Sequence, residues 1–339
     1  MNREATIDEW SKLYLAATKI KELKPWEYLW DMDLISIKEG EDEDAVFISV
    51  LGKGGSCYGI TIYEGYEGLN DFLMLTLQES MNLSTEYAMF SQNNLTCYWG
   101  NREELSDKQR KIIKDLGYKY RGENQWLYFM SFAEGYYPCN LDRDEVLRMT
   151  HYMELLADTL EAYQGYTVDS IVDFEAGYLF SYSVNIDAGT RSCGAEPVPF
   201  TSYQFGNLIL TDNELVDEMK KVPKTLKILE ADIVYLGASV NDKKYIRPAN
   251  PRLCMICDVL SETILKADMT EPDQDINVIM AENIVGFILK YGAPKEIRVS
   301  NVIVESVLDQ ICKLAGIKLR RVKKLSIVNG FVDGMRRFR

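Results

Sequence analysis

Histidine is almost missing from this sequence, since His151 is the only one among 339 residues. Hydrolases built on a serine or cysteine triad need a histidine as general base, and many zinc sites need several histidines. The segment HYMELLADTL around His151 carries no accompanying nucleophile motif. The composition therefore excludes most histidine-dependent hydrolases, and we expect a structural role for His151.

Motifs for nucleotides, disulfides and redox chemistry are also lacking. The GKGGS segment, residues 52–56, fails the spacing of a phosphate-binding loop and predicts a hairpin turn instead. The seven cysteines are odd in number and scattered along the chain. Cys254 and Cys257 form a C-x-x-C pair within a strand-like run, where residues three apart point to opposite faces. We therefore predict that Cys254 and Cys257 are buried thiols without a redox role. The odd number and scatter of the seven cysteines favour a reducing compartment.

Long apolar runs and an N-terminal signal are lacking as well. No run approaches the roughly 18 apolar residues that a membrane helix needs. The first ten residues, MNREATIDEW, do not have the basic and then apolar layout of a signal peptide. We expect a cytoplasmic protein with no membrane partner.

Positive charge is scarce except near the end of the sequence. The formal net charge of −14 argues against a general affinity for nucleic acid. From residue 318 onward, however, the sequence has eight Lys and Arg against one acid. Nucleic acid could bind only through this basic tail, whose alternative role is to neutralise the acidic remainder of the chain. Its predicted interaction residues are Lys318, Arg320, Arg321, Lys323 and Lys324.

The pattern of apolar residues predicts an α+β fold. In residues 1–140, a capping box formed by Thr6 and Glu9 starts a helix. Three β-branched and aromatic runs separated by turn residues follow it. We predict an N-terminal α+β domain whose antiparallel β-meander is accompanied by helices.

Residues 141–230 are predicted to form a helical and irregular middle section. A second capping box starts a helix whose apolar residues recur every three or four positions from Val146 to Tyr163. An apolar seam this narrow is expected to pack against another helix. That helix lies either within the same chain or in a second copy, and the second case would give a homo-oligomer. The glycine, proline and serine residues of 188–207 predict a long loop.

Residues 231–339 predict a small α/β domain with a mixed sheet and a basic tail. A hairpin turns at Ser261 and Glu262, and a helix, a strand and a second helix follow it. The last predicted strand runs from Lys318 to Val328.

Carboxylates at strand ends are the one candidate for catalysis. Asp258 ends the first predicted strand of the last domain, and Asn301 ends a later strand predicted to run alongside it. In nucleases of the ribonuclease H class, acids at two such strand ends hold two divalent metals about 4 Å apart. Because asparagine is neutral, we expect Asn301 to cap the next helix. Glu282 or Glu305 would have to complete a site for Mg²⁺ or Mn²⁺.

Two resemblances rest on segments of this sequence. The run YGAPKEIRVSN, residues 291–301, weakly resembles a ribonuclease H or integrase core, in degenerate form because Asn301 stands where that family has an aspartate. The whole chain resembles an uncharacterised bacterial family of two-module proteins of unknown function, on the segments LKPWEYLWDMDLISI, EGYYPCNLDRDE and RPANPRLCMICDVLSETIL. The second resemblance implies an N-terminal and a C-terminal module but no activity.

Two functions from different classes are compatible with this sequence. The first is a non-catalytic protein-interaction or regulatory module that needs no cofactor and binds another protein. The alternative is a metal-dependent nuclease or phosphodiesterase of degenerate ribonuclease H-like type, centred on Asp258 with Glu282 or Glu305.

Overall fold

The computed structural model of the chain describes residues 4–40, 44–185, 188–200 and 208–336. The chain forms two compact units that are interleaved along the sequence. The domain boundaries expected near residues 140 and 230 stay predictions. The first unit comprises Met1–Leu73, Gln92–Ala133 and Pro138–Thr201, and the second comprises Met74–Ser91, Glu134–Tyr137 and Ser202–Arg339.

The described residues contain both helices and strands throughout, which confirms the α+β class. The α-helices are α1 (Ile7–Leu23), α2 (Gly65–Thr76), α3 (Gln78–Met81), α4 (Thr85–Phe90), α5 (Asp107–Asp115), α6 (Arg143–Asp169), α7 (Asn213–Lys221), α8 (Ile276–Tyr291), α9 (Val302–Leu314) and α10 (Ser326–Arg336). The strands are β1 (Ile35–Glu39), β2 (Val46–Leu51), β3 (Tyr58–Glu64), β4 (Asn94–Gly100), β5 (Trp126–Phe132), β6 (Tyr178–Asn185), β7 (Thr190–Pro197), β8 (Ile228–Tyr235), β9 (Arg252–Asp258), β10 (Thr263–Thr270), β11 (Glu296–Val299) and β12 (Lys318–Arg321). Within the described ranges, no helix is long and apolar enough to span a membrane.

The first unit is built on a seven-stranded sheet in the order β5-β4-β3-β2-β1-β6-β7. Strands β1 to β3 form the predicted antiparallel meander, and β4 and β5 extend it with the same antiparallel pairing. β6 then joins parallel to β1, and β7 pairs antiparallel with β6. The loop predicted for residues 188–207 is wrong at residues 190–197, because these form β7; residues 201–207 lie outside the described residues.

The apolar seam of α6 lies in the core of the first unit. Val146, Met149 and Leu156 have no exposed surface, and they share a hydrophobic cluster with Leu13 and Ile20 of α1. Of the two alternatives for the seam, packing within the chain is the correct one. A homo-oligomer stays a prediction, but this face of α6 is already covered and offers it no exposed surface.

The second unit is built on a five-stranded mixed sheet in the order β10-β9-β8-β11-β12. β8, β9 and β10 pair antiparallel, whereas β8, β11 and β12 run parallel. Helices α8 and α9 contribute to the core on one face of the sheet, together with Leu229 and Ile233 of β8. Val234 lies on the other face, with Leu325 and Val328 at the start of α10. The predicted small α/β domain with a mixed sheet is thereby confirmed.

Two elements of the second unit differ from the sequence prediction. The central strand, β8, was not predicted as a strand. The last predicted strand, Lys318 to Val328, is wrong in its second half, because β12 ends at Arg321 and α10 begins at Ser326.

The C-x-x-C pair lies in β9, as predicted. Cys254 belongs to the apolar cluster on the α8 and α9 side of the sheet, and Cys257 belongs to the cluster on the α10 side. Burial raises the pKa of Cys254 to about 12 and that of Cys257 to about 11. Both thiols are therefore protonated at neutral pH, and the strand holds them on opposite faces.

Candidate functional site

The α10 side of strand β8 carries two acidic side chains, Glu230 and Asp232. Successive residues of a strand point to opposite faces, so the apolar Leu229, Ala231 and Ile233 enter the core on the other side. Glu230 is 2% exposed and Asp232 is partly buried. Burying a carboxylate costs free energy unless donors compensate it, so the surroundings of each acid determine what it can do.

The Glu230 carboxylate caps the N-terminus of α10. Its Oε1 accepts hydrogen bonds from the backbone N and the Oγ of Ser326, at 2.9 and 3.0 Å. Its Oε2 accepts from the backbone N of Ile327 at 2.9 Å and of Val328 at 3.2 Å. These N–H groups have no partner within the helix, and the helix dipole favours a negative charge at this end. Glu230 therefore holds α10 against the sheet.

Asp232 is bound by the residues that follow β11. Ser300 Oγ donates to Asp232 Oδ2 at 2.7 Å, and Asn301 Nδ2 donates to Asp232 Oδ1 at 3.0 Å. The backbone N of Ile233 donates to the same Oδ1 at 2.9 Å. Burial raises the pKa of Asp232 to about 6, with the nearby Glu230 acting in the same direction, although these three donors oppose the shift.

Asn301 caps α9, as the sequence predicts. Its Oδ1 accepts hydrogen bonds from the backbone N of Ile303 at 3.1 Å and of Val304 at 3.0 Å. Since its Nδ2 donates to Asp232, both ends of this amide are engaged. Asn301 is also 3% exposed. It is therefore a structural link between β8, β11 and α9.

Asp258 does not lie beside Asn301. The prediction that their strands are neighbours is wrong, because β8 separates β9 from β11. β9 runs antiparallel to β8 and β11 runs parallel to it, so the carboxyl ends of β9 and β11 are at opposite edges of the sheet. Asp258 instead accepts a hydrogen bond from Lys227 Nζ at 2.5 Å. This bond lowers the pKa of the Asp258 carboxyl.

The other two acids of the alternative site lie on separate helices. Glu282 is exposed on α8, and Glu305 on α9 forms an ion pair with Arg321 at 3.4 Å. Within the described ranges, no group of three or more His, Cys, Asp or Glu residues is arranged to hold a metal ion. Glu230 and Asp232, which do occupy a common strand face, were not among the predicted site residues. The alternation of acids with apolar residues in ILEADIVY is the signal that would have indicated them.

The five basic residues of the predicted interaction segment differ in their surroundings. Lys318 forms an ion pair with Glu296 at 3.1 Å, and Arg321 pairs with Glu305. Across the described part of the chain, the other three have no acidic partner, and all three are exposed. These are Arg320, Lys323 and Lys324. Internal neutralisation therefore accounts for part of the segment and leaves three cations on the surface.

His151 lies on α6 with its side chain 50% exposed, and its Nε2 contacts a carboxylate oxygen of Glu39. No cysteine or serine takes part in this contact. The pair links α6 to β1 in the first unit.

A family model described as "Domain of unknown function (DUF7309)" matches residues 10–181, which is half of the chain. The chain belongs to this family. A second model, "Domain of unknown function (DUF6930)", matches residues 215–336. This DUF7309 protein is thus a two-module chain of unknown function, in agreement with the resemblance stated from its sequence. A search of curated proteins found no significant match.

Three solved structures of viral integrases are similar to the DUF7309 protein at 16% identity. The dimeric HTLV-2 integrase catalytic core with magnesium has a TM-score of 0.22 and is matched over 30% of this chain and 63% of its own. The trimeric form has a TM-score of 0.24, over 34% and 71%. The simian T-cell lymphotropic virus intasome with PP2A subunit B56 gamma has 0.25, over 33% and 40%.

The chain thus spans less than two thirds of the integrase chain in two of these structures. The weak similarity agrees with the predicted resemblance to a degenerate ribonuclease H or integrase core.

Proposed function

We propose that this DUF7309 protein is a non-catalytic interaction protein whose second unit binds an acidic segment of a partner protein along β12. The observation that carries the proposal is the combination of an outer strand with three unneutralised cations. β12 pairs with β11 on one side and is the last strand of its sheet in the described part of the chain. Arg320 lies within β12, and Lys323 and Lys324 follow it.

An outer strand presents unpaired backbone N–H and C=O groups, which an extended peptide can use to add a strand. The backbone bonds supply affinity without much selectivity, whereas side chains of alternate residues supply the selectivity. Because the three cations are exposed, they favour a peptide with carboxylates at spaced positions, and its binding will weaken as salt screens the charges.

Three carboxylates of the second unit support the non-catalytic part of the proposal. Glu230 is engaged by the first N–H groups of α10, and Asp232 is engaged by Ser300 and Asn301. Asp258 is paired with Lys227. A metal ion would have to displace these donors before it could bind a carboxylate, and that displacement would leave buried polar groups without partners.

The test uses a fluorescein-labelled ten-residue peptide that alternates glutamate and valine, with fluorescence polarisation as the readout. The protein is expected to bind it more tightly at low salt than at high salt. Replacing Arg320, Lys323 and Lys324 together by glutamate should weaken binding at least about tenfold, which corresponds to roughly 1.4 kcal/mol.

The matched control replaces three exposed cations of the first unit, Lys111, Lys119 and Arg121, by glutamate. It changes the net charge by the same amount and should bind the peptide within about twofold of the unmodified protein. A second peptide, with glutamine in place of glutamate, should bind weakly to all three proteins. Equal loss in the control variant would show that only overall charge matters and would overturn the proposed surface.

The alternative function, a nuclease that uses Mg²⁺ or Mn²⁺, is tested with the same preparation. Supercoiled plasmid is incubated with the protein at millimolar Mn²⁺, next to the Asp258→Asn and Asp232→Asn variants. We expect no cleavage above a metal-free control. If the protein cleaves the plasmid and either substitution abolishes that cleavage, the nuclease function is correct and the interaction function is wrong.

A further inference from the structure

A cavity of about 550 Å³ in the second unit is lined by residues of α8, β9 and β10. Ile256, Leu265 and Phe287 give it an apolar wall. Its volume is in the range of pockets that hold small molecules, and such pockets are mostly apolar with a few placed polar groups.

The polar groups of this cavity are mainly hydrogen-bond donors. Its lining includes the ammonium groups of Lys227, Lys266 and Lys290 against one carboxylate, that of Glu282. Lys227 is paired with Asp258, outside the lining, and Lys266 is paired with Asp268 at 2.9 Å. An ammonium group has three donors, so one acidic partner does not saturate either lysine.

Lys290 lies at the C-terminal end of α8. Its Nζ is 5.0 Å from the centre of the Tyr291 ring, and within the described ranges it has no acidic partner. Lys290 therefore brings a positive charge to the cavity that the protein itself does not neutralise.

Asn283 adds a buried donor without a partner. It is 8% exposed and lines the cavity, and its Oδ1 accepts a hydrogen bond from Lys266 Nζ at 2.5 Å. Its Nδ2 has no hydrogen-bond partner. Leaving a buried donor unpaired costs about 1–3 kcal/mol, so an acceptor placed near Asn283 and Lys266 would relieve this cost.

We propose that the cavity binds a small monocarboxylate with an apolar body. The carboxylate accepts hydrogen bonds from Lys266, Lys290 and the Asn283 amide, while the apolar body covers Ile256 and Phe287. This site shares no residue with the binding surface proposed at β12, so either proposal can fail without the other.

The test is isothermal titration calorimetry of the 339-residue protein with decanoate and with decan-1-ol, which has the same chain length but no charge. Decanoate is expected to bind at least about tenfold more tightly. Lys290→Met should weaken decanoate binding about three- to tenfold and leave decan-1-ol binding unchanged. A general loss of structure would not produce this difference between the two ligands.

A second variant blocks the cavity without disturbing the helix. A Cβ added at Gly286 of α8 meets no atom within 4 Å, and leucine favours a helix more than glycine does. Gly286→Leu should therefore fold and lose at least tenfold in affinity for decanoate. The control is Gly165→Leu, at an exposed glycine of α6 whose Cβ would also meet no atom within 4 Å. Undetectable binding of decanoate to the unmodified protein at millimolar concentration, or unchanged binding to Gly286→Leu, would overturn the proposal.

Discussion

Asp232 and Asp258 belong to neighbouring strands of one sheet, but their surroundings shift their pKa values in opposite directions. Burial raises the pKa of Asp232 to about 6, whereas the hydrogen bond from Lys227 lowers that of Asp258. Folding therefore favours the protonated form of Asp232 and the ionised form of Asp258. Substitution of each by asparagine should have opposite effects on stability at neutral pH.

Asp232→Asn is expected to stabilise the protein at pH 7.5. Because the folded-state pKa lies above the unfolded value, the contribution of Asp232 to stability is present below about pH 4 and is lost as pH rises through 6. Asparagine does not ionise and can keep bonds to Ser300 and Asn301. The free energy of unfolding at pH 7.5 should rise by about 1–3 kcal/mol, and the gain should vanish near pH 4. Urea denaturation at pH 7.5 and at pH 4 measures the free energy of unfolding of the variant and of the unmodified protein. A variant that is less stable than the unmodified protein at pH 7.5 would contradict this prediction.

Asp258→Asn is expected to destabilise the protein at pH 7.5. The depressed pKa of Asp258 means that its contribution is present above the unfolded value of 3.8 and is lost as pH falls. Removing the charge that Lys227 binds should cost about 1–2 kcal/mol. The same urea titrations check this, and the difference from the unmodified protein should disappear in acid. A difference that persists in acid would show that the packing of Asp258, and not its charge, is responsible.

The sequence could indicate a polar site at the end of a strand, but not which residues meet there. Asn301 was correctly predicted as a helix cap, because the preference of asparagine for that position is local. The pairing of Asn301 with Asp232 depends on which strands are neighbours in the sheet. Since these residues are 69 positions apart, no local pattern contains that information.

At the scale of elements, α10 depends on one side chain from a strand far away in the sequence. Glu230 accepts hydrogen bonds from residues 326–328, 96 to 98 positions later. Helix caps commonly come from the residue just before the helix, and here the cap comes from the sheet. The last strand was predicted to continue through this region because the residue that caps α10 lies outside it.

Glu230→Gln should loosen α10 without unfolding the first unit. A neutral amide supplies only one acceptor, so about half of the bonds to Ser326, Ile327 and Val328 would be lost. We expect a cost of about 1–3 kcal/mol and faster amide hydrogen exchange in residues 326–336. Exchange in β2 to β4 should be unchanged.

The control for this prediction is Glu305→Gln. Glu305 forms a partly exposed ion pair with Arg321 at 3.4 Å, and such pairs contribute about 1 kcal/mol or less. If both substitutions loosen α10 equally, the cap is not what holds this helix.

At the scale of the whole molecule, the two units differ in their content of tryptophan, which is a fluorescent probe of folding. All five tryptophans fall in the first unit, at residues 10, 26, 30, 99 and 126. Tryptophan fluorescence therefore reports on the first unit, and hydrogen exchange can follow the second.

Tyr87→Ala should destabilise the second unit selectively. Tyr87 belongs to residues 74–91, is 5% exposed, and packs edge-on against Tyr235 with ring centres 4.9 Å apart. Truncating a buried aromatic residue costs about 3–5 kcal/mol. Protection of β8 and β9 should fall, while the tryptophan fluorescence transition in urea should stay in place. A shift of that transition would show that the two units unfold together.

Residues 74–91 also show that a local sequence pattern does not predict the unit to which a helical segment belongs. Helix α2 continues across residue 73, where the chain passes from the first unit to the second. Helical periodicity gives the buried face of a helix and not the unit against which that face packs.

The early position of residues 74–91 has a consequence for synthesis on the ribosome. Asn82 Nδ2 donates to the carbonyl oxygen of Ser300, which lies 218 residues later. At elongation rates of about 5–20 residues per second, roughly 10–40 s pass before that acceptor exists. During this interval the apolar side chains Met81, Tyr87 and Phe90 lack the strands that later bury them. A nascent chain paused before β8 should therefore expose a binding site for chaperones at these residues.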